Sequence, residues 1–265
     1  MLKQVGVVFK AFYEIVRNPK LLYRVVDDNS VWEKYVKKHH PAFTKGLPVA
    51  EINEVIPDFK ETLDVVDFLG GGSTPADLAI IKSLCRSFPN CKYFEIGTWR
   101  GQSVSNVADV CDEAYTLNLP DDAFNGVYKD LFGFFSKKNP KVKHVYGDSK
   151  TFDYAGLNMK FDVIFIDANH RYDFIKSDTQ KVFQYLTHEN SIVIWHDYGK
   201  DPATTVFETL AGILEGIPAG TEKNLYHVSN TLCAIHTNRK FKTSELKSPA
   251  IPNKLFKVAL EAVKI

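Results

Sequence analysis

The sequence predicts an α/β chain: a doubly wound, mainly parallel sheet of seven strands with an antiparallel end, preceded by a helical extension. Three observations carry this. From residue 73 onward, apolar runs of five or six residues alternate with amphipathic helical stretches, the order that builds a parallel sheet covered by helices. The run 161–166 is almost wholly apolar, as a strand buried on both faces must be. The stretch 92–103 passes from an apolar run through Glu95 to Gly97 and Gly101 and then to a helical pattern, which reads as strand, tight turn and helix start.

The elements follow in order. Leu2, Val5, Val8, Phe9, Phe12, Tyr13 and Val16, then Leu21, Leu22 and Val25 beyond Pro19, recur at helical spacing. The helix they predict carries Lys3, Lys10, Arg17, Lys20 and Arg24 against the single acid Glu14. Such a stripe packs on the body of the protein or on a second subunit, the commoner outcome, or lies on an anionic membrane surface. Residues 27–70 read as helix and connection, with Trp32, Tyr35 and Val36 on one face. Gly70-Gly71-Gly72 marks a boundary, giving an extension over 1–72, a sheet domain over 73–240 and a tail over 241–265. Ser73 or Thr74 caps a helix with Pro75 in its first turn. The opening strand follows, then strands over 114–118, 142–146, 161–166 and 191–195 and a last pair over 224–228 and 232–237. Helices are expected over 127–136, along Tyr172, Ile175, Thr179, Val182, Phe183 and Leu186, and over 203–214. Leu255, Phe256, Leu260 and Val263 predict a short helix in the tail.

Composition narrows the function. The chain has 265 residues, 45% hydrophobic and 25% charged, enough for a sizeable core. A net charge of +1 gives no electrostatic ground for nucleic-acid binding. Cys85, Cys91, Cys111 and Cys233 form no CxxC pair, so they are expected to be reduced, partly buried thiols of a cytoplasmic protein. No apolar run reaches the roughly 20 residues needed to span a bilayer, and no signal peptide is read.

In a doubly wound sheet, ligands sit beyond the carboxyl ends of the strands. Glu95 and Gly97, Asn118, Asp148, Asp167 with His170, and His196 with Asp197 all fall there. The glycine loop is not a dinucleotide loop. Trp99 stands where GxGxxG needs its second glycine, and there is no GK[ST] lysine. A ligand with an amino-acid group and a nucleoside fits better, and Glu95 suits its ammonium, directly or through water.

These motifs resemble the class I S-adenosylmethionine-dependent methyltransferases, a Rossmann-like family. Residues 94–103, Phe-Glu-Ile-Gly-Thr-Trp-Arg-Gly-Gln-Ser, resemble its first motif, and Gly147-Asp148-Ser149 the adenine segment. Residues 161–170 and 192–198 are similar to a narrower bacterial group that includes macrolide-sugar and other natural-product O-methyltransferases. The resemblance covers about residues 73–237. It implies S-adenosylmethionine as cofactor, held by Glu95, Gly97, Thr98, Gly101, Ser103, Asn118, Asp148, Ser149 and Asp167. It implies methyl transfer to a hydroxyl of a small molecule or glycan, with His170 as general base beside Asp167 and His196. It also implies a divalent metal, Mg²⁺ or Mn²⁺, on Asp167 and Asp197. Two positions depart from the pattern. Asn118 replaces the acid that takes both ribose hydroxyls, which lowers the expected affinity by about 1 kcal/mol. His196 replaces one member of the acidic pair after the fifth strand.

Three other readings stay open. One is a non-catalytic protein that binds S-adenosyl ligands. One is a nicotinamide oxidoreductase, against which Trp99 argues. One is a peripheral protein at the inner membrane face, working on a lipid-linked substrate. Residues 119–141 are long enough to cover the site as a lid. Homo-oligomerisation through the N-terminal helix or the tail is a further expectation.

Overall fold

A computed structural model of the chain describes residues 2–19 and 29–264. It divides into two units, residues 1–44 and 45–265. The first carries helices α1 (Leu2–Arg17) and α2 (Asn29–His39). Val5, Val8, Phe9, Phe12, Tyr13 and Val16 of α1 are all exposed. The expected continuation through Leu21, Leu22 and Val25 lies outside the described residues. In α2, Trp32 and Tyr35 meet edge to face at 5.5 Å, and Lys37 pairs with Glu33 one turn earlier at 2.6 Å.

The second unit runs β1 (Val49–Ala50), α3 (Ile52–Val55), α4 (Pro75–Arg86), β2 (Lys92–Ile96), α5 (Gln102–Val107), β3 (Glu113–Asn118), α6 (Val127–Leu131), β4 (Val142–Tyr146), β5 (Val163–Ile166) and α7 (Tyr172–Lys181). A short π-helix, Val182–Leu186, extends α7. Then come β6 (Ile192–Trp195), β7 (Gly199–Asp201), β8 (Thr204–Thr205), α8 (Phe207–Gly216), β9 (Leu225–Val228), β10 (Ala234–His236) and β11 (Thr243–Ser244).

Among the described residues nine strands form one sheet in the order β11-β1-β9-β10-β6-β5-β2-β3-β4. The seven predicted strands are its body. β2, β3, β4, β5 and β6 are mutually parallel, and β10 runs antiparallel to both β6 and β9. The two further strands are two-residue additions at the β9 edge, too short to show as an alternating pattern. Since β1 pairs with β9, part of the expected 1–72 extension belongs to the sheet-bearing unit, and Gly70–Gly72 falls inside that unit. The chain leaves β2 toward β3 and β4, then crosses back to β5 and β6. The switch point, where such sheets hold ligands, therefore lies between β2 and β5.

All four residues of β5 and all four of β6 are buried. Each such side chain contributes about 1.5–3 kcal/mol through burial. Helix α4 starts as the sequence predicts. Thr74 is the N-cap, Pro75 opens the first turn, and Thr74 and Asp77 form a reciprocal capping box.

Three expectations need correction. The helix expected over 127–136 ends at Leu131. The helix expected from residue 203 starts at Phe207, because residues 199–205 turn at Asp201-Pro202 into the β7–β8 hairpin. The tail helix is absent. Residues 249–264 run without regular structure, and Lys254 and Asn253 bond the Glu51 carboxylate. Phe256 meets Phe59 edge to face at 6.5 Å. A helix this short is marginal in isolation, and Leu255, Leu260 and Val263 remain exposed, with no packing to support one.

Candidate active site

The glycine loop after β2 closes on the loop after β5. Gly97 has φ +98°, and a Cβ there would lie 2.2 Å from the Asp167 carbonyl oxygen. Gly101 has φ +80°, caps α5, and would place a Cβ 2.2 Å from Ser136 Oγ. Trp99 also takes a left-handed backbone, at φ 42°. The loop is thus wound too tightly for side chains at both glycines.

Beneath it lies a knot of hydroxyls. Glu95 is fully buried. Tyr93 Oη donates to its Oε2 at 2.8 Å, Ser103 Oγ to the same oxygen at 2.6 Å, and Thr116 Oγ1 to Oε1 at 2.8 Å. Thr116 spends its proton on Glu95, so Thr98 Oγ1, 2.6 Å away, donates to Thr116. Burial pushes the Glu95 carboxyl up to about 7 against the pull of these donors. Glu95 therefore ties β2, β3 and α5 together under the loop. All three side-chain donors to Glu95 come from within the protein, and Ser103 shares the inward role.

Above the loop, Arg100 Nε and Nη2 grip both oxygens of Asp67 at 2.6 and 2.9 Å, and its guanidinium also donates to the carbonyls of Leu69 and Gly70. The 67–70 segment is strapped over the loop by a buried, bidentate ion pair. On the other side, the Gly133 and Phe135 amides donate to the Trp99 and Arg100 carbonyls at 2.5 and 2.9 Å. Phe132 stands edge-on to Trp99 at 5.2 Å and stacks on Phe124 at 3.8 Å. Residues 119–141 thus lie against the loop, as a cover would.

Two buried donors in this corner, Trp99 Nε1 and Gln102 Nε2, have no hydrogen-bond partner. Such groups are costly unless something accepts from them, and the carboxylate of an amino-acid-bearing ligand would. The residues present therefore fit S-adenosylmethionine. Asn118 ends β3, half-buried. Asp148 is exposed, and its Oδ1 accepts from the Lys150 amide at 2.8 Å, which shapes the turn after β4 beside the half-buried Ser149.

The ends of β5 and β6 bring the remaining predicted residues together. His196 is buried, with Nδ1 3.2 Å from Asp167 Oδ1 and 3.1 Å from Asp197 Oδ1, and Nε2 3.4 Å from Asp77 Oδ2. Burial opposes its charge, but the three carboxylates raise its pKa well above the usual value. Asp167 does not cap the following helix; that position belongs to Arg171. Asp197 holds a left-handed backbone at φ 51°, which aspartate tolerates better than most residues. Its other oxygen, Oδ2, lies 2.8 Å from Nδ1 of the exposed His170. Bonds from both histidines hold the Asp197 carboxyl far below the carboxylate range, despite its partial burial. The same Asp197 bond raises the His170 pKa.

Asp77 is the residue sequence reasoning missed. It is fully buried and also accepts from Thr74 Oγ1 at 2.6 Å and from the Leu232 amide at 2.7 Å. Its sequence signal, the third residue after an N-cap, announces a helix start and nothing more.

Asp167, His196 and Asp197 offer one ligand atom each, all within 4.8 Å of one another. With Nε2 of His196 engaged by Asp77, Nδ1 faces both carboxylates, the orientation in which a carboxylate-backed imidazole meets a metal. This donor set fits a divalent cation, and its nitrogen favours Mn²⁺ over Mg²⁺. A cavity of about 510 Å³ lined by Phe88, Asp162, His188, Asn190 and Arg239 opens at the opposite, amino-terminal edge of β5 and β6, away from this chemistry.

A sheet that reverses direction between β2 and β5, a glycine loop pressed onto the β5 loop, and carboxylates gathered at the strand ends form a Rossmann-like ligand site of the kind that the resemblance to class I S-adenosylmethionine-dependent methyltransferases implies. Residues 94–198 match the profile of a family described as a methyltransferase domain, which bears out the resemblance read from the sequence. No curated protein matches the chain. Among solved structures, it is similar to S-adenosylmethionine-bound CalS10 from Micromonospora echinaspora, an amino pentose methyltransferase of calicheamicin biosynthesis. That match has 15% identity and a TM-score of 0.37, over 51% of this chain and 58% of that one. The S-adenosylhomocysteine-bound methyltransferase PaMTH1 of Podospora anserina matches with 18% identity and a TM-score of 0.44, over 63% and 80%. DesVI of Streptomyces venezuelae matches with 16% identity and a TM-score of 0.35, over 46% and 49%. The chain thus spans little more than half the length of CalS10 and about half that of DesVI.

Proposed function

We propose that this protein is an S-adenosylmethionine-dependent O-methyltransferase acting on a hydroxyl of a small molecule or glycan. The observation that carries the proposal is the His170–Asp197 pair at 2.8 Å, standing at the strand ends beside the glycine loop. Asp197 accepts the Nδ1 proton, which leaves His170 Nε2 as a proton acceptor on the exposed side. The cofactor, when bound, supplies an electrophilic methyl group on a sulfonium. Thr98, Trp99 and Gln102 hold its amino-acid end, and Asn118, Asp148 and Ser149 its nucleoside. His170 Nε2 takes the proton of the acceptor hydroxyl, and Asp197 stabilises the imidazolium that results. His196, held by Asp77, Asp167 and Asp197, fixes the floor on which the acceptor is aligned. Asp167, His196 and Asp197 would hold a divalent cation, whose charge would orient the acceptor oxygen.

The test has two parts. Calorimetry with S-adenosylhomocysteine should show one site per chain, and no heat at millimolar ligand would sink the cofactor assignment. Transfer from methyl-labelled S-adenosylmethionine to a panel of phenols, catechols and sugar nucleotides should give O-methyl products. His170→Ala should lower turnover by about 10²–10⁴-fold while cofactor binding stays. Undiminished turnover would remove His170 as the base.

A second reading concerns place. The exposed apolar stripe of α1, flanked by Lys10 and Arg17, supports contact with the anionic inner face of a membrane. Among the described residues no helix is long and apolar enough to cross one. Sedimentation with anionic phospholipid vesicles should carry the full chain down and leave Phe9→Glu in solution; equal behaviour would end this reading.

A further inference from the structure

Cys85, Cys91 and Cys111 share no metal-binding spacing in the sequence, but the fold groups them. Cys85 sits in the last turn of α4, Cys91 immediately precedes β2, and Cys111 lies in the turn leading into β3. The three sulfurs lie within 4.8 Å of one another. Backbone bonds draw two of these turns together: the amides of Asp112 and Glu113 donate to the Cys91 carbonyl at 2.9 and 3.4 Å.

We propose that these three thiols form a binding site for a thiophilic d10 cation of the Zn²⁺ class, with the fourth coordination position open to solvent beside Cys111. A tetrahedral site with Zn–S of about 2.3 Å sets its sulfurs roughly 3.8 Å apart. Each pair here needs to close by no more than about 1 Å. Three soft donors converging from three elements match the preference of such ions for thiolate. Cys85 and Cys91 are completely buried within the apolar cluster that includes Ile81, Tyr93 and Val107, while Cys111 packs at its edge and is part-exposed. The inner two donors are therefore fixed in dry surroundings, and the third gives a path in. Asp112 and Asp162 place negative charge near Cys111, which favours the arrival of a cation. Binding exchanges thiol protons for the metal and involves no change of oxidation state.

The site lies at the foot of β2, roughly 17 Å of strand away from Gly97. It would clamp α4, β2 and β3 below the loop that carries the glycines. It is distinct from the Asp167–His196–Asp197 group, which has no sulfur.

The experiment uses the full chain, reduced with a phosphine and stripped with a chelator, then titrated with Cd²⁺. The expected result is an ultraviolet sulfur-to-cadmium charge-transfer band that saturates at one equivalent per chain. The band should be lost in Cys111→Ser and kept in Cys233→Ser. Zn²⁺ added to the stripped chain at about a hundred-fold excess over its Kd should raise the melting temperature by about 5 °C or more, and Cd²⁺ should displace the Zn²⁺. The wild-type titration decides the matter even if a variant folds poorly, and Cys111, being part-exposed, is the mildest of the three to change. Absence of the band overturns the proposal, as does a band that survives Cys111→Ser. So does the loss of two titratable thiols on mild peroxide treatment without cation uptake, which would make the cluster a disulfide couple.

Discussion

Replacing Glu95 with Gln separates the charge of this buried group from its hydrogen bonds. The carboxyl is pushed from 4.5 to about 7 by burial, a displacement equivalent to about 3 kcal/mol. A carboxyl whose folded pKa is raised binds its proton more tightly in the folded chain. Its contribution to stability is therefore full below pH 4.5 and is lost as pH rises through about 7. Glutamine stays neutral throughout. Its oxygen can accept from Tyr93 and Ser103, as Oε2 does now, and its amide can donate to Thr116, which then donates to Thr98 instead of accepting from it. The local cost of the exchange is independent of pH. Urea unfolding followed by far-ultraviolet circular dichroism should therefore show Glu95→Gln gaining about 2–3 kcal/mol on the wild type between pH 5 and pH 8. An identical difference at both pH values would refute the claim that burial raises the Glu95 carboxyl to about 7.

Other outcomes follow from the same geometry. Asp77→Asn removes the counter-charge under His196 and should cost about 3 kcal/mol in urea unfolding, because a buried ion is left with weaker compensation. Gly97→Ala drives a methyl into the backbone of Asp167 and Ala168, whereas Gly101→Ala meets chiefly the Ser136 side chain, at 2.2 Å from its Oγ and 2.7 Å from its Cβ, so that one residue of the 133–136 turn has to shift rather than the β5 loop. Melting temperatures should fall in the order wild type, Gly101→Ala, Gly97→Ala, and a reversal of the last two would show that the β5 loop yields. Arg100→Met leaves the Asp67 carboxylate without its partner. Chymotrypsin should then cut at the exposed Phe68 or Leu69 at least about ten times faster than in the wild type.

The body of the sheet was legible because its strands are short apolar runs set between amphipathic helices, so chain order and burial pattern agree from 92 to 236. The glycine loop was legible because Gly97 and Gly101 mark positions where the backbone must turn left-handed or approach another chain segment. His170 and Asp197 were legible as strand-end residues, though not as partners, since their pairing depends on the turn Asp197 makes after β6. Asp77 was not legible. A residue three places into a capped helix carries no local mark of facing a histidine 119 positions later. The thiol cluster was hidden for the same reason, its members being joined by the packing of α4 against the sheet rather than by spacing. The β7–β8 hairpin was misread because Asp201-Pro202 suits a helix start as well as a turn. In the tail, amphipathic spacing predicted a helix that no packing supports.

Asp77 also bears on how this chain can change over evolutionary time. One carboxylate serves the first turn of α4, the turn between β9 and β10, and the imidazole beneath the strand ends. A replacement must satisfy donors on three separate stretches of chain at once, and no other side chain has the same length, charge and two oxygens. The segments at 119–141 and 67–70 can drift, because single contacts there can be exchanged one at a time. At Asp77 no such gradual route exists, so the floor of the site is locked while its walls are free to vary.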